Sequence, residues 1–130
     1  MPTIPLLSTT LLEATTGLLT FTLVDSDGAG VPVSMLTTVT LTYYDVISGT
    51  IVNTRNAQNV LNANDVSVTT VGSPAVTTVE WQIQPADTAM VDPELALEYR
   101  VAQFRWTWDS GTRHDAYQVQ FAIENMAFVV

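Results

Sequence analysis

From Leu19 onward, apolar and polar residues alternate with a period of two, the spacing that sends successive side chains to opposite faces of a strand. Leu19, Phe21 and Leu23 alternate with Thr20 and Thr22, which predicts a first core strand. The run DSDGAG, Asp25 to Gly30, supplies turn residues, and Val31-Pro32-Val33 is expected to form a short edge piece because Pro32 has no N–H for a ladder. From Met35 to Tyr44, Val39, Leu41 and Tyr43 share one face and Thr38, Thr40, Thr42 and Tyr44 the other. Asp45 to Gly49 reads as a hairpin turn and Thr50 to Thr54 as the returning strand. Arg55 to Asp65 is rich in Asn and Gln and reads as a loop tacked down by Val60 and Leu61. Val66 to Val71 and the alternation Val79, Trp81, Ile83 predict a second hairpin around Gly72-Ser73-Pro74. Pro85 to Glu94, with two prolines, reads as a loop crossing between sheets. The strongest pattern is C-terminal: Ala102, Phe104, Trp106 and Trp108 on one face of a strand from Leu97 to Asp109, a turn at Asp109-Ser110-Gly111, and Tyr117, Val119, Phe121 and Ile123 on the strand that returns.

About seven strands separated by turn signals, with no amphipathic helix, predict an all-β fold: an antiparallel β-sandwich of immunoglobulin-like type, without the disulfide of antibody domains. At 130 residues there is room for one ordinary domain. We divide it into an N-terminal arm, residues 1–17, and a sandwich, residues 18–130. The arm, PTIPLLSTTLLEATTG, is too apolar to be left in water and lacks the alternation of the body; the C-terminal Met126-Ala127-Phe128-Val129-Val130 has the same character. Two readings stay open: these ends bind a neighbouring subunit by strand addition or arm exchange, or they add edge strands to their own domain. The residues that would carry partner binding are Ile4, Leu6, Leu7, Leu11 and Leu12 in the arm and Phe128 and Val129 at the other end.

Charge narrows the function. Thirteen acids against four arginines, with no lysine, give a net charge of −9, which would be repelled by a phosphate backbone, so direct nucleic-acid binding is excluded. No apolar run approaches the length of a membrane span, and the N-terminus lacks the basic residues of a secretory signal, so no membrane association is expected. With no cysteine there is neither a disulfide framework nor a thiol nucleophile.

Candidate chemistry is sparse. His114 is the single histidine, and the adjacent Asp115 falls on the opposite strand face, where it cannot orient the ring for general-base work. Asp87, Asp92, Glu94 and Glu98 crowd one stretch and could in principle offer a pair of carboxylates for glycoside cleavage; the plainer expectation is a charged, solvated rim. Asp25 and Asp27 begin like a calcium loop, but the later ligands are missing, and a turn is the expected role. Trp81, Trp106 and Trp108 could form a platform that stacks on sugar rings, although the face they share with Phe104 is expected to be core. We therefore expect no enzymatic activity, no catalytic residue, no metal and no cofactor.

Two segments, LTTVTLTYYDVISGTIVNTRNAQNVLNANDVSV and EYRVAQFRWTWDSGTRHDAYQVQF, combine a short turn after a Thr-rich strand, an Asn-rich middle loop and a W-x-W hairpin. In this the chain resembles small immunoglobulin-like structural proteins of tailed bacteriophages. The resemblance implies a virion component assembled in the host cytoplasm: a capsid decoration or cement protein contacting the major capsid protein or other virion proteins, with self-association as a further option. A neck or tail accessory subunit is the alternative within that class, and a carbohydrate-binding sandwich using Trp81 or Trp106 is the alternative outside it.

Overall fold

Alternating apolar positions give each strand one face that must leave water, and the chain buries these faces by laying two sheets on each other. A computed structural model describes residues 6–25 and 27–128. The described strands are β1 (Leu6–Leu12), β2 (Gly17–Thr22), β3 (Leu36–Asp45), β4 (Gln58–Asn59), β5 (Val66–Val71), β6 (Val76–Ile83), β7 (Leu97–Trp108) and β8 (Arg113–Glu124). They form a five-stranded sheet in the order β1-β8-β7-β3-β4 and a three-stranded sheet in the order β2-β6-β5. The all-β sandwich is therefore as expected. The long hairpin β7–β8 keeps one register from Leu97↔Glu124 to Trp108↔Arg113, and β3 pairs along β7 from Asp45↔Arg100 to Leu36↔Trp108 with one irregularity near the Leu36 end.

The core lies between the sheets. Val39, Leu41 and Tyr43 of β3, Phe104 and Trp106 of β7, and Val119 and Phe121 of β8 face Leu19, Val68, Val79 and Trp81 of the smaller sheet, all buried. Aromatic rings fill the centre with tilted and edge-on contacts: Tyr43 meets Trp81 edge-on at 5.1 Å between centroids, and Trp81 meets Phe104 at 6.0 Å. Phe21 covers the end of the core nearer the β7–β8 turn, stacking on Tyr117 at 4.2 Å. One glycine is fixed by close approach: a Cβ on Gly30 would lie 2.1 Å from the carbonyl oxygen of Ala75, where the Asp25–Gly30 turn lies against the β5–β6 turn.

Four findings correct the expectations or decide between them. First, of the two readings left open for the N-terminal segment, Leu6–Leu12 adds an edge strand to its own domain: it is the edge strand of the larger sheet, pairing with β8. Leu11 packs against the core, while Thr10 and Leu12 are exposed. Second, that pairing is parallel, so the sandwich is not antiparallel throughout. Third, Thr50–Thr54 does not run back as a strand. After a single bridge, Tyr44↔Ile51, Asn53 and Thr54 take left-handed backbone (φ 54° and 57°), and strand pairing resumes only at β4. Fourth, Val31-Pro32-Val33 is not an edge strand: Val31 and Pro32 carry no strand pairing, and Val33 opens the 3-10 turn Val33–Met35, in which Met35 N donates to Pro32 O while Val33 N donates to the Thr70 hydroxyl.

Core burial ranks the effect of truncations. Phe104→Ala is expected to cost about 3–5 kcal/mol, whereas Leu18→Ala, at a side chain 63% exposed, should stay within about 0.5 kcal/mol. Urea unfolding of both variants measures the difference, and comparable losses would contradict this assignment of the core.

Candidate interaction surface and the buried ion pairs behind it

Two of the four arginines lie inside the sandwich. Arg55 follows the left-handed pair Asn53-Thr54, which turns it inward, and it is 1% exposed. All five of its N–H groups find acceptors. Nε and Nη2 grip the Asp87 carboxylate at 2.6 and 3.0 Å, Nη1 donates to Gln58 Oε1 and Asn64 O, and Nη2 also reaches Asp65 Oδ2 at 2.9 Å. Its guanidinium carbon lies 5.4 Å from the centre of the Trp81 ring. Burial pulls the Arg55 pKa down, but the hydrogen bonds and charge of Asp87, then those of Asp65, outweigh it and hold the group above its ordinary value.

Asp87, fully buried, also accepts from Asn53 Nδ2 and Gln84 N, and its backbone carbonyl accepts from the Tyr43 hydroxyl (2.9 Å) and Arg100 Nη1 (3.1 Å). Arg100 further bonds Ala89 O and Glu98 Oε1, and its Nε stands 3.6 Å from Asp45 Oδ1. Glu98 in turn accepts the backbone N–H groups of Val91 and Asp92. The crossing loop between β6 and β7 is thus strapped across one end of the core, and Thr88 extends the strap: its hydroxyl accepts from Thr15 N and donates to Thr15 O. Burial pushes the Tyr43 phenol well above its ordinary pKa, with Arg100 offsetting part of the effect.

This geometry settles where several candidate residues lie. Asp87 and Glu98 are not part of a solvated rim; both are buried and ion-paired, while Asp92 and Glu94 are exposed. Asp87 is paired on both oxygens to the Arg55 guanidinium, and Glu98 is held by Arg100 and two backbone N–H groups, so both are committed to structure and the chemistry weighed for this stretch loses two of its four members. Trp81 and Trp106 are core residues, which withdraws them from a sugar-stacking platform. Trp108 donates from Nε1 to Asp115 Oδ2 and lies under Arg113. Asp115 is thereby turned away from His114, which is exposed on the outer face of the larger sheet. Asp25 Oδ1 accepts from Asp27 N and Ala29 N, as a turn requires. Among the described residues, no group of three or more His, Asp or Glu side chains is placed to hold a metal ion.

Of the residues proposed to bind a partner, Ile4 and Val129 lie outside the described residues. Leu6, Leu7, Leu11 and Leu12 belong to β1, and Phe128 ends the 3-10 turn Met126–Phe128. The two ends of the described chain meet: Glu13 N donates to Glu124 O, and Met126 N donates to Glu13 Oε1. β1 pairs with β8 on one side and with no other described strand. The buried arginine pairs escaped the sequence reading, although Glu98 and Arg100 share the parity of Ala102 and Phe104 in β7, a signal for two inward charges. Comparison with protein-family models, curated proteins and solved structures finds no match to this chain.

Removing one partner of such a pair leaves a charge buried without compensation, so Asp87→Ala should lower stability by about 3–5 kcal/mol in urea unfolding; a loss near that of a surface substitution would contradict the role given to Asp87. Tyr43 supplies a pH signature. Its phenol stays protonated in the fold to higher pH than in the unfolded chain, so its stabilising share is complete below the ordinary value of 10.0 and is lost as pH rises above it. Tyr43→Phe should cost about 1 kcal/mol at neutral pH and flatten the decline in stability above pH 10, as measured by unfolding curves across the alkaline range.

Proposed function

We propose that this chain is a non-enzymatic structural protein of a bacteriophage virion, a decoration or cement subunit that adheres to the major capsid protein; a neck or tail subunit would use the same adhesion at another position. The observation that carries the reading is β1: an edge strand drawn from an apolar terminal segment, hydrogen-bonded to β8 on one side and open on the other among the described residues. An open edge offers a row of backbone donors and acceptors to an extended segment of a partner. Repetition over a lattice lets modest single contacts add up to firm attachment.

The immunoglobulin-like form of the sandwich belongs to the same reading. What supports it is the strand order: a hairpin β7–β8 flanked by β3 and β4 in one sheet, β2, β6 and β5 in the other, and a chain that crosses between the sheets after β1, β2, β4 and β6.

Virions purified from the phage that encodes this chain should contain it as a stoichiometric component, measured by mass spectrometry. Thr10→Lys places a cation on the open edge strand, and it should lower incorporation about tenfold while leaving the melting temperature of the purified chain unchanged. Absence of the chain from virions, or incorporation of the folded variant at normal levels, would overturn the proposal.

A further inference from the structure

β1 is joined to the body of the sandwich through a single strained residue. On one side of Ala14 the chain is seated on β8: Thr10, Leu11 and Leu12 pair in parallel with Ala122, Ile123 and Glu124, Glu13 N donates to Glu124 O, and Met126 N donates to Glu13 Oε1. On the other side the chain is bolted to the crossing loop, because the buried Thr88 hydroxyl holds Thr15 N at 2.9 Å and Thr15 O at 2.8 Å. Between seat and bolt, Ala14 has φ 54°, in the left-handed region that is unfavourable for an alanine and free for a glycine. Its side chain is exposed, so no burial of Ala14 offsets that backbone.

The strand that this hinge tethers is lightly held. Its ladder with β8 is irregular between Leu6 and Thr10, and parallel pairing is the weaker kind per residue. Past the irregularity Leu11 packs against the core over Gly17, while Thr10 and Leu12 are exposed. Two further bonds cross the hinge: Ala14 N to Thr88 O, long at 3.4 Å, and Thr15 Oγ1 to Leu12 O, which is exposed to water. Release of the segment up to Glu13 therefore gives up few contacts and relieves the backbone at Ala14, while the Thr15 bolt stays closed.

We propose that two copies of the chain exchange β1, each laying its Leu6–Leu12 along β8 of the other while Ala14 straightens to extended backbone. The vacated seat takes the strand of a second copy because it is already shaped to that strand: the ladder, the Leu11 contact over Gly17 and the Glu13–Met126 bond all re-form unchanged between chains. The closed and exchanged forms differ only at the hinge and where the two bodies meet, and a short hinge under strain favours exchange. No acid precedes Glu13, so the exchanged strand carries no new carboxylate onto a chain of net charge −9. The outer edge of β1 stays open in both forms, so exchange neither requires nor prevents adhesion to a capsid protein.

Sedimentation velocity of the full chain over a concentration series, with time allowed for exchange, tests for the dimer. Ala14→Gly accepts the left-handed backbone without strain and should lower the association constant about tenfold or more, since each dimer carries two hinges. Ala14→Val, at an exposed position, disfavours the closed hinge further and should raise it. Because the chain has no cysteine, Thr10→Cys in one chain and Ala122→Cys in another report the partner of β1. Mixed and oxidised, the two should yield a disulfide-linked heterodimer, with the link between the two replaced positions located by mass spectrometry, and thermal melts establish that every variant is folded. A chain monomeric at every concentration, a mixture that forms no such link, or a dimer that Ala14→Gly fails to weaken or Ala14→Val fails to strengthen would each overturn the proposal. Absence of the chain from virions would overturn the capsid reading and leave these results standing.

Discussion

The grip of Arg55 on Asp87 is the interaction on which the rest of the structure depends. A guanidinium inside a packed core carries a desolvation cost of several kcal/mol, and the cost is met only when its donors are satisfied at good geometry. Here every N–H of Arg55 is used, and Asp87 is held through both oxygens. The pair therefore fixes three parts of the chain that have little apolar surface of their own. The Asn-rich segment before β5 is tied through Gln58, Asn64 and Asp65, the crossing loop through Asp87, and the segment after β1 through Thr88 and Thr15. Hydrophobic burial explains why the two sheets come together. It does not explain how the loops that close their open end are held, and the ion pairs do.

Arg100 shows the same economy on the neighbouring strand. Its guanidinium takes two loop carbonyls and Glu98, and Glu98 spends both oxygens on the backbone of that loop. Its Nε, 3.6 Å from Asp45 and without a hydrogen bond, is the weak point of the cluster. Such a network favours one arrangement of the loop over others more than it adds raw stability, since an apolar replacement of similar volume could pack the same space.

How much of this was legible in the sequence follows from the range of each signal. β7 and β8 were read nearly to their ends because twelve-residue strands with one buried face repeat their parity many times. β4 was missed because two residues cannot show a period, and the Thr50–Thr54 segment was overread because β-branched residues are also compatible with a turn once Asn53 and Thr54 take left-handed backbone. β1 stayed ambiguous for a different reason: Leu6, Leu7, Leu11 and Leu12 come in adjacent pairs rather than alternating, so parity could not assign a face or a partner. The pairing of Arg55 with Asp87 joins residues 32 apart whose types are ordinary in loops. Glu98 and Arg100 on β7 and Asp45 on β3, at inward positions of clear strands, pointed to charge in the core.

The ion pairs also shape the outside of the molecule. Burying two of the four arginines together with Asp45, Asp87 and Glu98 leaves the remaining two arginines against ten acids outside the core. Position links the two features. Asp45, Glu98 and Arg100 point inward at the places where Val46, Leu97 and Tyr99, their immediate neighbours in sequence, point outward. The most exposed apolar end of the larger sheet is thus backed by the most heavily hydrogen-bonded part of the interior. A surface held rigid from behind loses less conformational freedom when it is covered, and that lowers the entropic cost of association. Within one strand, period-two alternation lets the same backbone serve both ends: Leu97 and Tyr99 on β7 stay exposed while Glu98 and Arg100 between and beside them hold the strand from within.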